Sequence, residues 1–269
     1  MSSEVLFHQD SDCFVPTSLA GSPWHPALLH GGAPAGLLAH CLEQSVADAD
    51  LQPVRFTLDL IRPVPSSALK VELRRIRAGK RIVLEEAQLQ ADGKTVAIAT
   101  ALFALPQPIT LPDYAPVRSP LLPTPESLAD VSFRDVLFAK SDNLPEGLHT
   151  TIRLRPISKL TESGYGRAWL ALPVPIVDGC STTPFMRAAL TADFSNGVGQ
   201  LSLSEGVGVI NADINLQLLR LPQGEWLGLD ATTLMDARGL GTVTAELHDC
   251  HGLCGLVSQS AMPMAEFSR

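Results

Sequence analysis

The chain has 269 residues, with 20 Lys and Arg against 28 Asp and Glu, and carries a formal net charge of −8. This acidic balance argues against a nucleic-acid-binding protein, because phosphate backbones are bound chiefly by clustered basic residues. Hydrophobic residues make up 45% of the chain, which argues against disorder. No run of 18 apolar residues occurs, so we expect no membrane span.

Two features of the sequence bear on the compartment. The start, MSSEVLFHQDSD, lacks both the basic region and the apolar stretch of a signal peptide. The five cysteines form an odd, scattered set, unlike a disulfide framework, so we expect reduced thiols. Together these features predict a cytoplasmic protein.

The first predicted element is a helix over residues 31–46, GGAPAGLLAHCLEQSV. Its residues are apolar nearly all round, which is typical of a buried helix. Strand-like segments follow up to residue 104: VRFTLDLIRPV, LKVELRRIR and RIVLEEAQLQADGKTVAIATALFAL. A sheet wrapped around this helix would bury it.

A proline-rich segment then divides the chain near its middle. Residues 104–125 contain seven prolines, which remove ladder donors and disfavour helix interiors, so we expect an extended connector. The predicted organisation is an N-terminal unit over residues 1–105, a linker and connecting segment over 106–145, and a C-terminal unit over 146–269.

The second half repeats the pattern of the first. A helix-like segment over residues 184–200 leads to INADINLQLLRLP, WLGLDATTLM and GTVTAELHDCHGLCGLVSQSAMPM. The spacing from Arg62 to Arg220 is 158 residues and that from Gly93 to Gly252 is 159. This near-constant shift indicates a duplicated α+β unit, each copy a curled antiparallel sheet around one long helix.

Two polar clusters have competing interpretations. The basic cluster, Arg74 to Arg81, is either a solvated hairpin or a landing site for a phosphorylated ligand. The segment from His248 to Cys254 packs four nitrogen or sulfur donors into seven residues. No second donor pair lies at a usual zinc spacing, so we expect a hairpin with residues 249–252 at the bend, and no metal site.

Four motifs occur in order in the two halves: His30-Gly31-Gly32, Leu60-Ile61-Arg62-Pro63, Ala192-Asp193-Phe194 and Val257-Ser258-Gln259. Together they resemble the acyl-CoA thioesterase II family. The resemblance implies a double hot-dog fold, an acyl-CoA substrate and no cofactor. It also implies functional roles for the glycine pair, for the aspartate of the second helix and for the glutamine of the last strand.

Asp193 is the foremost candidate catalytic residue. If Thr183 caps the second helix and Pro184 opens it, one helical stripe holds Met186, Ala189, Leu190, Asp193, Asn196 and Gly197. A carboxylate on a buried stripe must be hydrogen-bonded, and its desolvation makes it ready to accept a proton from water. The alternative is a carboxylate satisfied by neighbouring backbone or by solvent.

Gln259 and two asparagines are the candidate partners of Asp193. The Gln259 amide can hold a water molecule or a thioester oxygen, unless the side chain lies on an edge strand and faces solvent. The family's third polar residue is Thr or Ser, whereas counting back from Arg220 places Asn211 there. Asn215 is expected on the same strand face as Asn211.

Gly31 and Gly32 are the candidate substrate-binding residues. Backbone N–H groups at a helix start carry partial positive charge and could polarise a thioester carbonyl. Alternatively, the two glycines only allow close packing between the helix and the sheet.

The predicted activity is hydrolysis of a fatty acyl-CoA, or a related acyl thioester, by water attack assisted by Asp193. An anhydride formed on Asp193 is the other route. The absence of a G-x-S-x-G sequence excludes an α/β-hydrolase mechanism. Two alternative functions are a hot-dog hydratase or dehydratase, and a non-catalytic acyl-CoA-binding protein. Exposed sheet edges could pair two chains into a homo-oligomer such as a dimer.

Overall fold

The computed structural model of the chain describes residues 4–46, 48, 50–116, 122–133, 136, 144–204 and 207–264. Within them, the helices are α1 (Gly32–Ser45), α2 (Leu148–Thr151) and α3 (Pro184–Val198). The strands are β1 (Phe7–Asp10), β2 (Cys13–Pro16), β3 (Gln52–Leu60), β4 (Leu69–Ala78), β5 (Ile82–Ala91), β6 (Lys94–Ala104), β7 (Arg153–Pro156), β8 (Tyr165–Ala171), β9 (Val209–Asn211), β10 (Asp213–Leu218), β11 (Leu227–Met235), β12 (Gly241–Asp249) and β13 (Gly252–Pro263).

The described strands form one antiparallel sheet. Its order is β1-β2-β4-β5-β6-β3-β10-β13-β12-β11-β8-β7, with β9 paired to β13. The order is symmetrical about the β3–β10 pair, in which Asn215 lies opposite Thr57. The two halves of the chain therefore share one continuous sheet, as expected for a large antiparallel α+β fold.

The two long helices lie where the sequence predicts them. In α1, all residues from Gly32 to Leu42 are buried, as the apolar pattern requires. The start of α3 is capped by Thr183, whose hydroxyl accepts from the N–H of Met186 at 3.2 Å, and Pro184 occupies the first helical position. The cap and the proline determine where α3 begins. The starting residue in turn determines the direction in which each side chain of the helix points.

Helices α1 and α3 pack against each other in antiparallel orientation. Near the end of α1, the Glu43 carboxylate accepts from the Thr183 hydroxyl at 2.6 Å. Burial raises the pKa of Glu43, an effect that this hydrogen bond opposes. The start of α1, at Gly31, meets α3 at Asp193. This pairing brings the N-terminus of α1 against the middle of α3.

The segment from His248 to Cys254 forms the expected hairpin. Strand β12 ends at Asp249, which lies opposite Gly252 at the start of β13. The buried Asp249 carboxylate accepts from Arg220 and from the N–H groups of Gln223 and His251, both at 2.8 Å. The hairpin is thereby tied to the segment that follows β10. All five cysteines are free.

The basic cluster lies on the exposed β4–β5 hairpin. Arg74 donates to Glu86 at 2.9 and 3.1 Å, and Arg75 bonds Glu85 and the carbonyl of Ser45. Two of the cluster's arginines are therefore engaged within the protein, which favours the solvated-hairpin interpretation. No helix in the described part of the chain is long and apolar enough to span a membrane.

Candidate active site

A cavity of about 920 Å³ opens where the start of α1 faces α3. Its lining comes from both halves of the chain: residues 28–31 before α1, residues 60–64 from the end of β3 onward, residues along α3 from Asp193, and residues 210–212 at the end of β9. Apolar side chains make up much of its wall, including Leu29, Leu60, Val64, Phe133, Phe194 and Ile210. The cavity thus combines an apolar wall with a small number of polar groups, as small-molecule sites usually do.

Asp193 is the buried carboxylate of this cavity. The residue is 6% exposed, and it lies on α3 as the helical stripe predicts. One oxygen, Oδ1, accepts from the Asn211 amide at 3.1 Å, and the other, Oδ2, lies 2.9 Å from Nδ1 of His30. Both oxygens of Asp193 therefore lie against polar groups from other elements.

His30 is a site residue to which the sequence analysis gave no role. Its ring stacks on Phe194, with ring centroids 4.6 Å apart and an interplanar angle of 19°. The backbone N–H of His30 donates to the carbonyl of Ala20 at 3.1 Å, which fixes the loop that carries the ring. The sequence feature that could have indicated His30 is its position directly before the glycine pair. Its neighbour Asp193 lies in the other half of the chain, so the sequence does not show that the two residues meet.

Gly31 and Gly32 allow the two helices to meet. A Cβ atom at Gly31 would lie 2.8 and 3.0 Å from the two carboxylate oxygens of Asp193. A Cβ atom at Gly32 would lie 2.9 Å from the carbonyl oxygen of Leu190. Close packing is therefore a sufficient reason for both glycines, although the neighbour is helix α3 and not the sheet that the sequence analysis expected. Of the two, Gly31 is the one that lines the cavity.

Asn211 and Asn215 have separate environments. Strand pairing is interrupted at Ala212 between β9 and β10, so residues on either side do not continue one alternation. Asn211 turns to Asp193, whereas the Asn215 amide donates to the carboxylate of Asp213 at 2.7 Å. The structure does not bring Asn215 to the cavity, and the expectation of a shared strand face fails at this break.

Gln259 lies behind α3 rather than in the cavity. The residue is 2% exposed, so the solvent-facing alternative is wrong. Its amide nitrogen donates to the carbonyl of Ala192 at 3.0 Å and lies 3.5 Å from that of Asp193. Gln259 therefore contacts, through its amide nitrogen, the helix backbone that carries Asp193, and this contact positions that backbone.

A second histidine lies near the first. His149, on α2, is stacked with His30 at a centroid distance of 6.5 Å, and its Nε2 lies 3.1 Å from the carbonyl of Pro145. Burial, with a smaller contribution from His30, lowers the pKa of His149 to about 4. His149 is therefore neutral at physiological pH. Nothing in the local sequence around His149 distinguishes it from an ordinary core residue.

The chemistry of this cluster is that of proton transfer. A carboxylate, an imidazole and a carboxamide converge at the edge of an apolar cavity, so the site can bind an apolar substrate and move a proton next to it. Among the residues that the structure describes, no group of three or more His, Cys, Asp or Glu side chains is arranged to hold a metal ion.

Comparisons with known families match both halves of the chain. Residues 20–104 match the acyl-CoA thioesterase N-terminal domain, and residues 125–262 match the acyl-CoA thioesterase C-terminal domain. A search of curated protein sequences finds no match. The two matched segments cover most of the chain, and they include every candidate site residue.

Solved structures with a similar fold include a hot-dog protein from Alicyclobacillus acidocaldarius, at 14% identity and a TM-score of 0.70 over 96% of both chains. The acyl-CoA thioesterase II TesB2 from Mycobacterium marinum has 15% identity and a TM-score of 0.64, over 98% of this chain and 97% of that one. A tesB protein from Mycobacterium avium subspecies paratuberculosis has 17% identity and a TM-score of 0.62, over 96% of both chains. These likenesses show a hot-dog fold. With its two matched domains, the chain belongs to the acyl-CoA thioesterase family and is a thioester hydrolase.

Proposed function

We propose that the protein hydrolyses fatty acyl-CoA thioesters to free acid and CoA, by attack of a water molecule that Asp193 helps to activate. The observation that carries the proposal is the buried Asp193 carboxylate at the edge of the 920 Å³ cavity, beside the start of α1. A general base held next to a bound thioester typically accelerates such a reaction by ~10² to 10⁴.

The substrate class follows from the cavity wall. Its apolar side chains suit an acyl chain, and its volume lies within the range of about 300–1,000 Å³ that is usual for small-molecule sites. With the thioester carbonyl beside Gly31, the chain would extend along residues such as Leu60, Phe133 and Ile210. The depth of the cavity along these apolar residues then determines which lengths of acyl chain can bind.

Direct water attack is the preferred route over an anhydride. Oδ1 of Asp193 accepts from the Asn211 amide at 3.1 Å, and Oδ2 lies 2.9 Å from Nδ1 of His30, so both oxygens are flanked by polar groups. This crowding favours a carboxylate that takes a proton from water over one that attacks carbon. Gly31 would polarise the thioester carbonyl through its backbone N–H at the positive end of α1. Gln259 serves as a positioning residue, and Asn215 is left out of the proposed site.

The test is the release of free thiol from acyl-CoAs of graded length by the wild type and by Asp193→Asn. We expect turnover to fall by at least ~10² in the variant, because the amide cannot accept a proton. Asp213→Asn is the matched control, since it makes the same change on a carboxylate outside the cavity lining, and it should keep wild-type turnover. Full activity in a folded Asp193→Asn variant would exclude the proposed role of Asp193.

A hydratase or dehydratase is the second candidate, favoured by one observation. The His30–Asp193 contact brings an imidazole to a carboxylate, a pair that can move a proton to or from a carbon next to a thioester. Loss of enoyl-CoA absorbance without thiol release would favour this function. Acyl-CoA binding without either reaction would instead favour the non-catalytic alternative, against the family assignment.

The organisation of the chain completes the proposal. The symmetrical strand order and the one long helix in the described part of each half support two hot-dog units, over residues 1–105 and 146–269, joined by the segment 106–145. Five free cysteines are consistent with a reducing, cytoplasmic compartment. Pairing of two chains into a dimer stays a prediction, to be measured by sedimentation.

A further inference from the structure

We propose that Asn196 is a positioning residue, which holds the Asp193 carboxylate in place through strand β9 and the Asn211 amide. The inference rests on the proposed thioester hydrolysis, in which Asp193 activates the attacking water, and it identifies the support of that carboxylate. Asn196 follows Asp193 by three residues on α3 and lines the same cavity.

Two hydrogen bonds link one face of α3 to β9. Nδ2 of Asn196 donates to the carbonyl of Val209 at 2.8 Å, and Nδ2 of Asn211 donates to Oδ1 of Asp193 at 3.1 Å. Asp193 and Asn196 share a helix face because they are three residues apart. Val209 and Asn211 are the first and last residues of β9, so the two bonds hold both ends of this short strand against α3.

The bond from Asn196 satisfies a carbonyl that the sheet leaves unpaired. Val209 lies opposite Pro263 on β13, and proline has no N–H to donate. Among the described strands, β13 is the one that pairs with β9, so no strand supplies a donor from the other side. Val209 is 1% exposed and Asn196 is 8% exposed, so water has little access to the bond. The Asn196 amide is therefore the donor on which this buried carbonyl depends.

The Asn196 side chain makes this one hydrogen bond in the described part of the molecule. Its other polar atom, Oδ1, is buried and has no hydrogen-bond partner there. An unpaired buried acceptor is unfavourable, so a side chain that only filled this space would be better apolar. Asn196→Leu removes the unfavourable acceptor together with the favourable donor. We therefore expect this substitution to change activity more than it changes stability.

The contact between Asn211 and Asp193 is sensitive to the position of β9. Its length of 3.1 Å is near the upper end of the usual range, and a further separation of about 0.5 Å would end the hydrogen bond. From the neighbouring strand β13, Gln259 donates to the carbonyl of Ala192 and holds the same part of α3. Gln259 thus fixes α3 relative to β13, while Asn196 fixes it relative to β9.

The test is a double-mutant cycle of Asn196→Leu and Asn211→Ala, measured as thiol release from acyl-CoA. We expect Asn196→Leu to lower kcat about tenfold with KM changed less than about threefold, because a displaced carboxylate activates water less well. If Asn196 acts through Asn211, the two losses do not multiply, and the double variant should lose no more than about twentyfold. Asn196→Ala removes the same donor without added bulk, and it replaces the leucine variant in the cycle if that variant does not fold.

Asn215→Leu is the matched control. It makes the same change on an asparagine whose amide donates to Asp213 outside the cavity, and it should keep wild-type kcat. The inference is overturned if folded Asn196→Leu keeps kcat within about twofold of wild type, or if the losses multiply to about 100-fold in the double variant. In the second case Asn196 would act independently of Asn211, as a residue in direct contact with the acyl chain would.

A second measurement does not depend on activity. In ¹⁵N NMR spectra, the Asn211 side-chain amide can be assigned from its loss in Asn211→Ala, and Asp193→Ala gives its position without the acceptor. Asn196→Leu should move the signal toward that position, and Asn215→Leu should leave it unchanged. An Asn211 signal that Asn196→Leu does not move contradicts the inference. Absence of thiol release by the wild type, with the expected NMR change present, would instead refute the proposed function.

Discussion

Replacement of Gly31 by alanine tests whether the distance between α1 and Asp193 controls activity. The backbone of Gly31 has φ −56° and ψ −29°, which alanine adopts without strain. The added Cβ would stand 2.8 Å from Oδ1 and 3.0 Å from Oδ2 of Asp193. To reach ordinary contact distances of about 3.4 Å or more, the carboxylate has to move by about 0.6 Å.

A shift of that size is large for a catalytic group. A misplacement of about 1 Å costs on the order of 10²-fold in rate, so we expect Gly31→Ala to lower kcat/KM by ~10- to 100-fold. The free energy of unfolding should change little, by about 1 kcal/mol, because only one side chain has to move. Thiol release and urea denaturation together measure the two quantities.

Gly36→Ala is the matched control for this prediction. A Cβ atom there would lie 2.8 Å from Cδ1 of Ile176, which is the far end of a flexible side chain outside the cavity lining. The variant should therefore keep wild-type kcat/KM. If Gly31→Ala is as active as Gly36→Ala, the Asp193 carboxylate is not constrained by α1, and our account of the glycine pair is wrong.

Further predictions concern the residues around Asp193. Gly32→Ala should lower the free energy of unfolding by roughly 1–3 kcal/mol in urea titrations, because its Cβ would meet the Leu190 carbonyl at 2.9 Å. Asn211→Ala should reduce thiol release about tenfold, whereas Asn215→Ala should leave it within twofold; equal losses would contradict the different positions of the two amides. Gln259→Leu should reduce stability by about 1–3 kcal/mol and kcat more than KM, since it removes the donor to the Ala192 carbonyl. Burial lowers the pKa of His149 to about 4 in the folded protein. At a pH between this value and the pKa of an unfolded histidine, His149 binds a proton in the unfolded chain but not in the folded one, and this difference favours unfolding. Stability should therefore fall between about pH 6.5 and 4, by at most about 3 kcal/mol, and His149→Gln should flatten that dependence in denaturation curves.

Elements with strong local signals could be predicted from the sequence. The cap at Thr183 and the proline after it define where α3 starts, and counting along the helix from there places Asp193 among buried residues. The bend at residues 249–252 follows in the same way from the polar residues between two apolar strands. In both cases the deciding interactions lie within one turn or one hairpin, so local physical chemistry suffices.

Contacts between distant elements could not be predicted in this way. Alternation along a strand fails for Asn215 because the pairing breaks at Ala212, and a break of one residue leaves no signature in the residue types around it. Burial of Gln259 agrees with the apolar character of its strand. Its hydrogen-bond partner is a main-chain carbonyl of α3, and this contact depends on the distance between the helix and the sheet, which the sequence does not show. A sequence pattern predicts which face of a strand or helix is buried, but it does not predict which atoms of another element contact that face.

The position of the proposed site gives a reason for both halves of the molecule to share one chain. His30 and Gly31 come from the first half, Asp193 and Asn211 from the second, and the atoms that matter are about 3 Å apart. A relative displacement of the helices by 1 Å would break the contact between His30 and Asp193 and open the space at Gly31. The helices cannot approach more closely at Gly32 without meeting the Leu190 carbonyl, and the continuous β3–β10 pairing opposes their separation. Rigid packing between the halves is therefore a condition for the proposed catalysis, since Gly31 comes from one half and Asp193 from the other.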